Sequence, residues 1–468
     1  MLDCGTVWMR DDFDLRPPEV APLPPDAHKG ERDAWGTYPY ELASENFVVK
    51  WGTSGSVGED DVEALLASFE TAWAEEIEAW GMPQPRGTES SLFNVYVGDT
   101  GDGTPSSYGA GGYYDRDDDG YPFVVIARDS LRDAAYAQST AAHEFFHALQ
   151  DETESYGYTG DAAWFWEASA CWAEGEVFPE NDSYAQFLFG YALLPHYALD
   201  FFDYPDTGEL QEYHQYGAFI FPRFVSEVAA DRAAVVEAWT APVSGDPIEG
   251  LAAGLDVPMA DAFAEFAARN ATWDYADGEA YADHVSTWSD WLDVDVVVGS
   301  VRGGEGTDGL VEAPEDTLPE RYGYNVVRIR DAERVRVTFE GDAEGSRGGE
   351  AAWRATVVTV DGEAFTRTPL DGELEAGSDG DAWLVVAAVP DEARAEETFA
   401  WRYAVEPVEV EPAEDTGDPA EPLDVEEGGG GCGCGASSWG RVSRPPLAWL
   451  ALAGLALTRA RGRRPARS

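Results

Sequence analysis

Two of the six histidines stand four residues apart around a glutamate, in His143-Glu144-Phe145-Phe146-His147. With 3.6 residues per turn, positions i and i+4 share one helix face, so both imidazoles reach one cation only if this segment is helical. Glu144, beside the first imidazole, then faces a water on the cation rather than the cation itself. Such a motif arises by chance in roughly 1% of chains with so few histidines. The bland alternative is two helix-face histidines satisfied by backbone or water. A catalytic zinc needs a third protein ligand and one open position. Glu167 fits, twenty residues on, in Trp164-Phe165-Trp166-Glu167-Ala168-Ser169-Ala170, after a loop at Ser155–Gly160 that lets a second helix return beside the first. A carboxylate in so apolar a segment needs a compensating charge, unless it is a partly exposed surface residue. Glu174, seven residues later on the same face, is placed to hold a ligand histidine from behind or to be merely solvated. Two imidazoles and one carboxylate suit Zn2+. In Tyr213-His214-Gln215-Tyr216-Gly217, Tyr216 is the favoured donor to a developing oxyanion and His214 the second choice, against a packing role.

The rest of the chain reads as an α+β protein that changes period part-way. Residues 1–45 are Pro-rich and polar, an extended arm. Strands are expected at 46–51, 92–97, 110–114 and 122–127. Val62, Leu65, Leu66, Phe69, Trp73, Ile77 and Trp80 mark an amphipathic helix, with Asp60 and Glu63 placed like a capping box and Gly81 and Pro83 as the stop. Further helices are expected at 134–150, 163–177, 215–228 and 259–270, which closes a first domain at 46–292. From about 296 the pattern turns to period two, with strands at 325–330, 334–339, 352–360, 382–388 and 399–408 and a hairpin signal at Asp361-Gly362. That block, 296–408, has the size of a β-sandwich.

Charge excludes some functions. Ninety acidic residues face thirty basic ones, a formal net charge of −60. Such a surface repels nucleic acid and suits a medium rich in salt or divalent cations. Asp115-Arg116-Asp117-Asp118-Asp119-Gly120 begins like a Ca2+ loop, but its twelfth position is Ile126, so an acidic turn is the better reading. His28, His196 and His284 have no partner spacing and read as structural.

The motif and its distant Glu resemble the gluzincin clan of metallopeptidases, thermolysin-like in outline. That resemblance implies a zincin-like catalytic domain, His143, His147 and Glu167 as zinc ligands, Glu144 as general base and a polypeptide substrate. Thermolysin carries an Asp four residues after the third ligand; here that residue is Cys171, so the contact is lost or moves to Glu174. Over roughly residues 40–410 the chain also resembles a group of secreted metalloproteases of myxobacteria, in Tyr113-Tyr114-Asp115, Pro122 to Ile126, Ala142 to Gln150, Trp164 to Glu174 and Tyr216 to Phe221. An edge strand near Gly109–Tyr114 is expected to pair with an extended peptide.

The C-terminus suggests export. Residues 409–431 open with nine acidic residues and three prolines, an extended linker. Residues 432–468 hold Cys432-Gly433-Cys434, an apolar stretch from Pro445 to Leu457 and five arginines in the last ten residues. This resembles a myxobacterial C-terminal sorting signal, which implies export to the cell envelope, membrane contact through the tail and a sorting or processing enzyme as partner. The apolar run alone is short of the ~20 residues that span a bilayer. No signal peptide follows Met1, so one is expected upstream of it. An exported chain allows a Cys4–Cys171 disulfide. The competing class is a surface binding or adhesion protein with a non-catalytic zincin scaffold, which would not need Glu144. A zinc hydrolase of non-peptide amides is a third.

Overall fold

Five short apolar segments assemble the first sheet in a computed structural model that describes residues 29, 30, 32, 38–204 and 207–408. They are β1 (Tyr40–Ala43), β2 (Phe47–Trp51), β3 (Phe93–Gly98), β4 (Gly112–Arg116) and β5 (Pro122–Ala127), in spatial order β1-β2-β3-β5-β4. β2, β3 and β5 are parallel, while β1 and β4 run antiparallel along the edges. The inner strands are buried at nearly every residue, as their unbroken apolar runs require. β1 was not expected: it falls in the stretch read as an extended arm, because its own residues are half exposed and only its pairing with β2 makes it a strand.

Helix α1 (Glu59–Ala72) joins β2 to β3. Its cap sits two residues before the expected one, with the Gly58 amide donating to Asp61 Oδ2 at 3.3 Å. The helix then widens into a π-helical stretch, Trp73–Ala79, and stops near Gly81 at φ +83°. This stretch lays Trp73 on Phe145 and Trp80 against Phe146 and Trp172.

Helix α2 (Ala134–Thr153) starts at Asp133, whose carboxylate accepts from the Ala135 and Tyr136 amides at 3.0 and 3.2 Å, a cap worth about 0.5–2 kcal/mol. Its Phe145 face packs on the sheet, against Phe47 and Phe93. The histidine face looks the other way, onto α3 (Ala163–Val177). Contacts pair Gln150 with Ser169 and His143 with Glu174, so α3 returns antiparallel, as the loop at 155–160 implied. α3 is apolar on every side and correspondingly buried.

The helix expected at 215–228 is broken. His214–Gly217, Ile220–Phe224 and a π-helical turn at Val225–Ala229 replace it. Pro222 has no amide to give the preceding turn. Gly217 lies where a side chain would meet the Tyr191 amide at 2.6 Å, so this segment is set by packing rather than by its own ladder. The 259–270 helix forms as expected, and Gly278–Leu292 ends the helical part.

Beyond it the chain folds as two facing sheets: β6 (Gly299–Arg302), β7 (Val311–Glu312), β8 (Gly323–Arg330), β9 (Val335–Gly341), β10 (Trp353–Asp361), β11 (Ala364–Leu370), β12 (Glu373–Ala376), β13 (Ala382–Ala388) and β14 (Trp401–Pro407). One sheet has the order β11-β10-β13-β8-β6, the other β12-β9-β14-β7. Val327 and Ile329, Val335 and Val337, Leu384 and Trp401 meet in one core between them. The Asp361-Gly362 signal is a tight β10–β11 hairpin, with Gly362 at φ +62°. The expected strands are β8, β9, β10, β13 and β14; the shorter, more polar β6, β7, β11 and β12 were not legible.

The two parts are sewn together. The Tyr324 amide donates to the Pro195 carbonyl at 2.7 Å and the Glu320 amide to the His196 carbonyl at 2.8 Å. Tyr324 packs against Tyr191 and Phe266 of the helical part. The described residues up to Pro407 form one compact unit. The chain is thus a mixed α+β protein with several sheets, and no helix among the described residues is long and apolar enough to cross a membrane. The acidic linker, Cys432, Cys434 and the apolar stretch at 445–457 lie outside the described residues.

Candidate metal centre

The antiparallel pairing of α2 and α3 brings His143, His147 and Glu167 together, with ligand atoms within 4.8 Å of one another. His143 Nε2 and His147 Nε2 lie 3.3 and 3.7 Å from Glu167 Oε2. All three residues are buried. Each is held from behind. His143 Nδ1 faces Glu174 Oε1 at 2.8 Å and His147 Nδ1 faces Gln150 Oε1 at 2.6 Å. With protons on both Nδ1 atoms, both Nε2 lone pairs point at the shared space. The Tyr158 hydroxyl donates to Glu167 Oε1 at 2.5 Å, leaving Oε2 for the centre. Gln150 is itself fixed, its amide donating to the Trp166 carbonyl and to Ser169 Oγ at 2.9 Å each.

Burial pushes the Glu167 carboxyl up, but His147 and His143 beside it outweigh that and hold it at about 2. A buried carboxylate held ionised needs positive charge beside it, which a divalent cation among the three ligand atoms supplies, so this donor set fits a metal ion.

A second group also converges: His143, Cys171 and Glu174. It is the weaker candidate. His143 has only one Nδ1, and Glu174 already takes it, at 2.8 Å against 3.7 Å for the Cys171 sulfur. Burial pushes the Cys171 thiol far up, so it stays protonated. Cys171 is a buried free thiol among the described residues; Cys4, the partner expected for it, lies outside the described residues.

Glu144 lies beside His143 on a cleft with room for about one water, some 20 Å³. The cleft is bounded by Gly111 and Gly112 at the start of β4, by Thr140 and His143, and by Tyr216. Gly112 is required by space: a side chain there would meet Thr140 Cγ2 at 2.9 Å and Glu144 Cγ at 3.0 Å. β4 is the outer strand of its sheet, and it is tied to α2 by a buried Arg116–Asp151 pair, to which the Tyr114 hydroxyl also donates. Tyr216 lies across the cleft with its ring 6.5 Å from that of His143. His214 does not face the cleft. It is buried among Tyr191, Tyr197 and Phe201, where burial lowers its imidazole to about 3. In the Asp-rich turn Asp117 and Asp119 pair with Arg32, and Asp117 accepts from the Asp119 and Tyr121 amides, as an acidic turn requires.

A family profile matches residues 23–404, well over half of the chain, spanning the helical part and both later sheets. The chain belongs to the family DUF6055, a family of unknown function. A search of curated proteins returns no match. The extent of the match makes the two-sheet block part of what defines a DUF6055 chain rather than an appendage to it. Sequence reasoning overlooked Gln150 and Tyr158, the residues that orient this DUF6055 centre. Gln150 was findable, one turn after His147 on the same helix. Tyr158 sits in a loop and carried no such signal. Glu76 was also overlooked. It is fully buried on the π-helical stretch, neither carboxylate oxygen has a hydrogen-bond partner among the described residues, and burial pushes its carboxyl well up despite His143 nearby.

Proposed function

We propose that this chain is a zinc-dependent peptidase with a zincin-like, thermolysin-like catalytic domain, in which His143, His147 and Glu167 hold Zn2+ and Glu144 is the general base. One observation carries the reading: three buried ligand atoms converge on one point, with Glu144 beside them on a cleft that an outer β-strand borders. Zinc, when bound, supplies a Lewis acid that polarises a carbonyl and acidifies water. Glu144 takes a proton from the attacking water and passes it to the leaving amine, so one water is consumed for each peptide bond cut. Tyr216 donates to the oxyanion that forms on the carbonyl carbon's oxygen. The outer edge of β4 holds the substrate extended by strand addition, and Gly111 and Gly112 let its backbone come close to Glu144. A non-catalytic adhesion scaffold would have no use for Glu144 at the cleft.

Export to the cell envelope belongs to the same proposal. Its support is the acidic 409–431 segment, the C-x-C pair and the Arg-rich end of the sequence.

The test pairs metal analysis with a peptide-library cleavage assay on wild type, His147→Ala and Glu144→Gln. We expect one zinc per chain in wild type and Glu144→Gln, little in His147→Ala, and turnover lower by at least ~10²–10⁴-fold in Glu144→Gln. Equal zinc in His147→Ala, or full turnover in Glu144→Gln, would overturn the assignment.

A further inference from the structure

A second cavity, of about 320 Å³, shares no lining residue with the cleft at Glu144 and lies between the end of the Met259–Asn270 helix and the outer face of the β8-containing sheet. This is the size range of small-molecule sites. Its floor is one side of β8. Alternation places Val327 and Ile329 in the core between the sheets, and Tyr324, Val326, Arg328 and Arg330 on the opposite face. Along that face the residues pass from buried Tyr324 and Val326 to exposed Arg328 and Arg330. The cavity is therefore apolar at its inner end and cationic at its mouth. Trp383, the cross-strand partner of Arg328, and Trp273 supply aromatic walls.

The donors here outnumber the acceptors. Arg328 is engaged by Asp381, at 2.7 Å from Nε and 2.5 Å from Nη2. Arg330 has no ion pair with a described residue. Neither indole N–H of Trp273 and Trp383 has a hydrogen-bond partner among the described residues. The one acid at the rim, Asp295, accepts from the Val297 amide at 3.2 Å.

Trp273 is also held against its own preference. It sits at φ +52°, a left-handed conformation that bulky residues rarely adopt. Its turn is clamped by Arg269 and Arg367, which both bind Asp274. Gly278 makes room, since a side chain there would meet the Trp273 carbonyl at 1.9 Å. Backbone strain maintained by its surroundings clusters at ligand sites.

We propose that this cavity binds an amphiphilic carboxylate, with a flat apolar ring against the indoles and Val326 and the anionic end at Arg330. The lining offers too few free polar groups for a sugar's hydroxyls, because Asn270 is already committed to Tyr324 and Tyr275. Two sources share this chemistry: a free aromatic acid, and the C-terminus of a polypeptide ending in an aromatic residue. The site stands independently of the peptidase reading.

The experiment is calorimetric titration of the full chain carrying Glu144→Gln, which keeps peptide probes intact. N-acetyl-L-tryptophan is expected to bind saturably at one site, and its carboxamide at least ~tenfold more weakly. Arg330→Gln, an exposed change, is expected to abolish that preference with the circular dichroism spectrum unchanged. Trp383→Ala is expected to weaken both probes. A peptide ending in tryptophan, against indole-3-acetate, identifies the source; preferential binding of either upholds the site. No saturable binding of the acid, equal binding of acid and amide, or an acid preference that survives Arg330→Gln would overturn it.

Discussion

The Tyr158 hydroxyl donates to Glu167 Oε1, which makes it a direct probe of how the metal centre is held. Its ring packs edge-on against Trp166 and Phe202, so Tyr158→Phe keeps that packing and removes the hydrogen bond to Glu167. If the zinc proposal is right, that variant should fold normally and bind zinc about 10–100-fold more weakly in a chelator competition, the usual effect of losing an orienting contact behind a ligand. Unchanged affinity would mean that the carboxylate is set by α3 alone. At this scale the sequence was legible where spacing along a helix decides proximity. His143, His147, Glu167 and Glu174 all fall where one helix repeat and one return helix put them. It was illegible where proximity comes from a loop or from the direction of a broken helix. Tyr158 carried no pattern. His214 and Tyr216 share one helical turn and lie about 200° apart on it, so only one of them faces the cleft, and packing around that short turn decides which.

Among the elements, β4 and α2 matter most together, because the cleft exists only if the strand's start lies along the helix at Glu144. The Arg116–Asp151 pair fixes that relation, and removing one partner of a buried pair costs about 3–5 kcal/mol by stranding the other charge. The finer adjustment is Gly112. Gly112→Ala should leave folding and zinc content intact, because the residue's own backbone needs no left-handed angle, but the added methyl must displace Glu144 or Thr140. We expect peptide turnover to fall by roughly 10²-fold with metal content unchanged, the effect of a 1 Å misplacement; equal turnover would show that Glu144 has slack. Strands were read from the sequence when buried on both faces or strictly alternating, as β5 and β8 are. Edge strands such as β1, β7 and β12 are short and polar, and acquire their form only from a partner.

Across the whole molecule, buried His214 and half-buried His196 contribute to the response to acid. Burial lowers His214 to about 3 and His196 to about 4, both from 6.5. The unfolded chain takes up those protons below pH 6.5 and the folded chain does not, so stability falls as pH drops through that window. For fully buried His214 the slope is about 1.4 kcal/mol per pH unit between pH 6.5 and roughly 3. His214→Phe should therefore flatten the urea-unfolding stability between pH 7 and 4.5 relative to wild type, and parallel curves would exclude His214 as a source of acid sensitivity. The hydrogen bonds from Tyr324 and Glu320 back to Pro195 and His196 have a further consequence. They make the border near residue 293 a change of hydrophobic period without a change of cooperative unit. Heat should then melt residues 29–408 in a single calorimetric transition, with van't Hoff and calorimetric enthalpies equal. A fragment cut at residue 292 would bare Tyr191, Phe263 and Phe266, now covered by Tyr322 and Tyr324, to water. Whoever trims this chain to its helical part will be handling an aggregate, not a smaller folded unit.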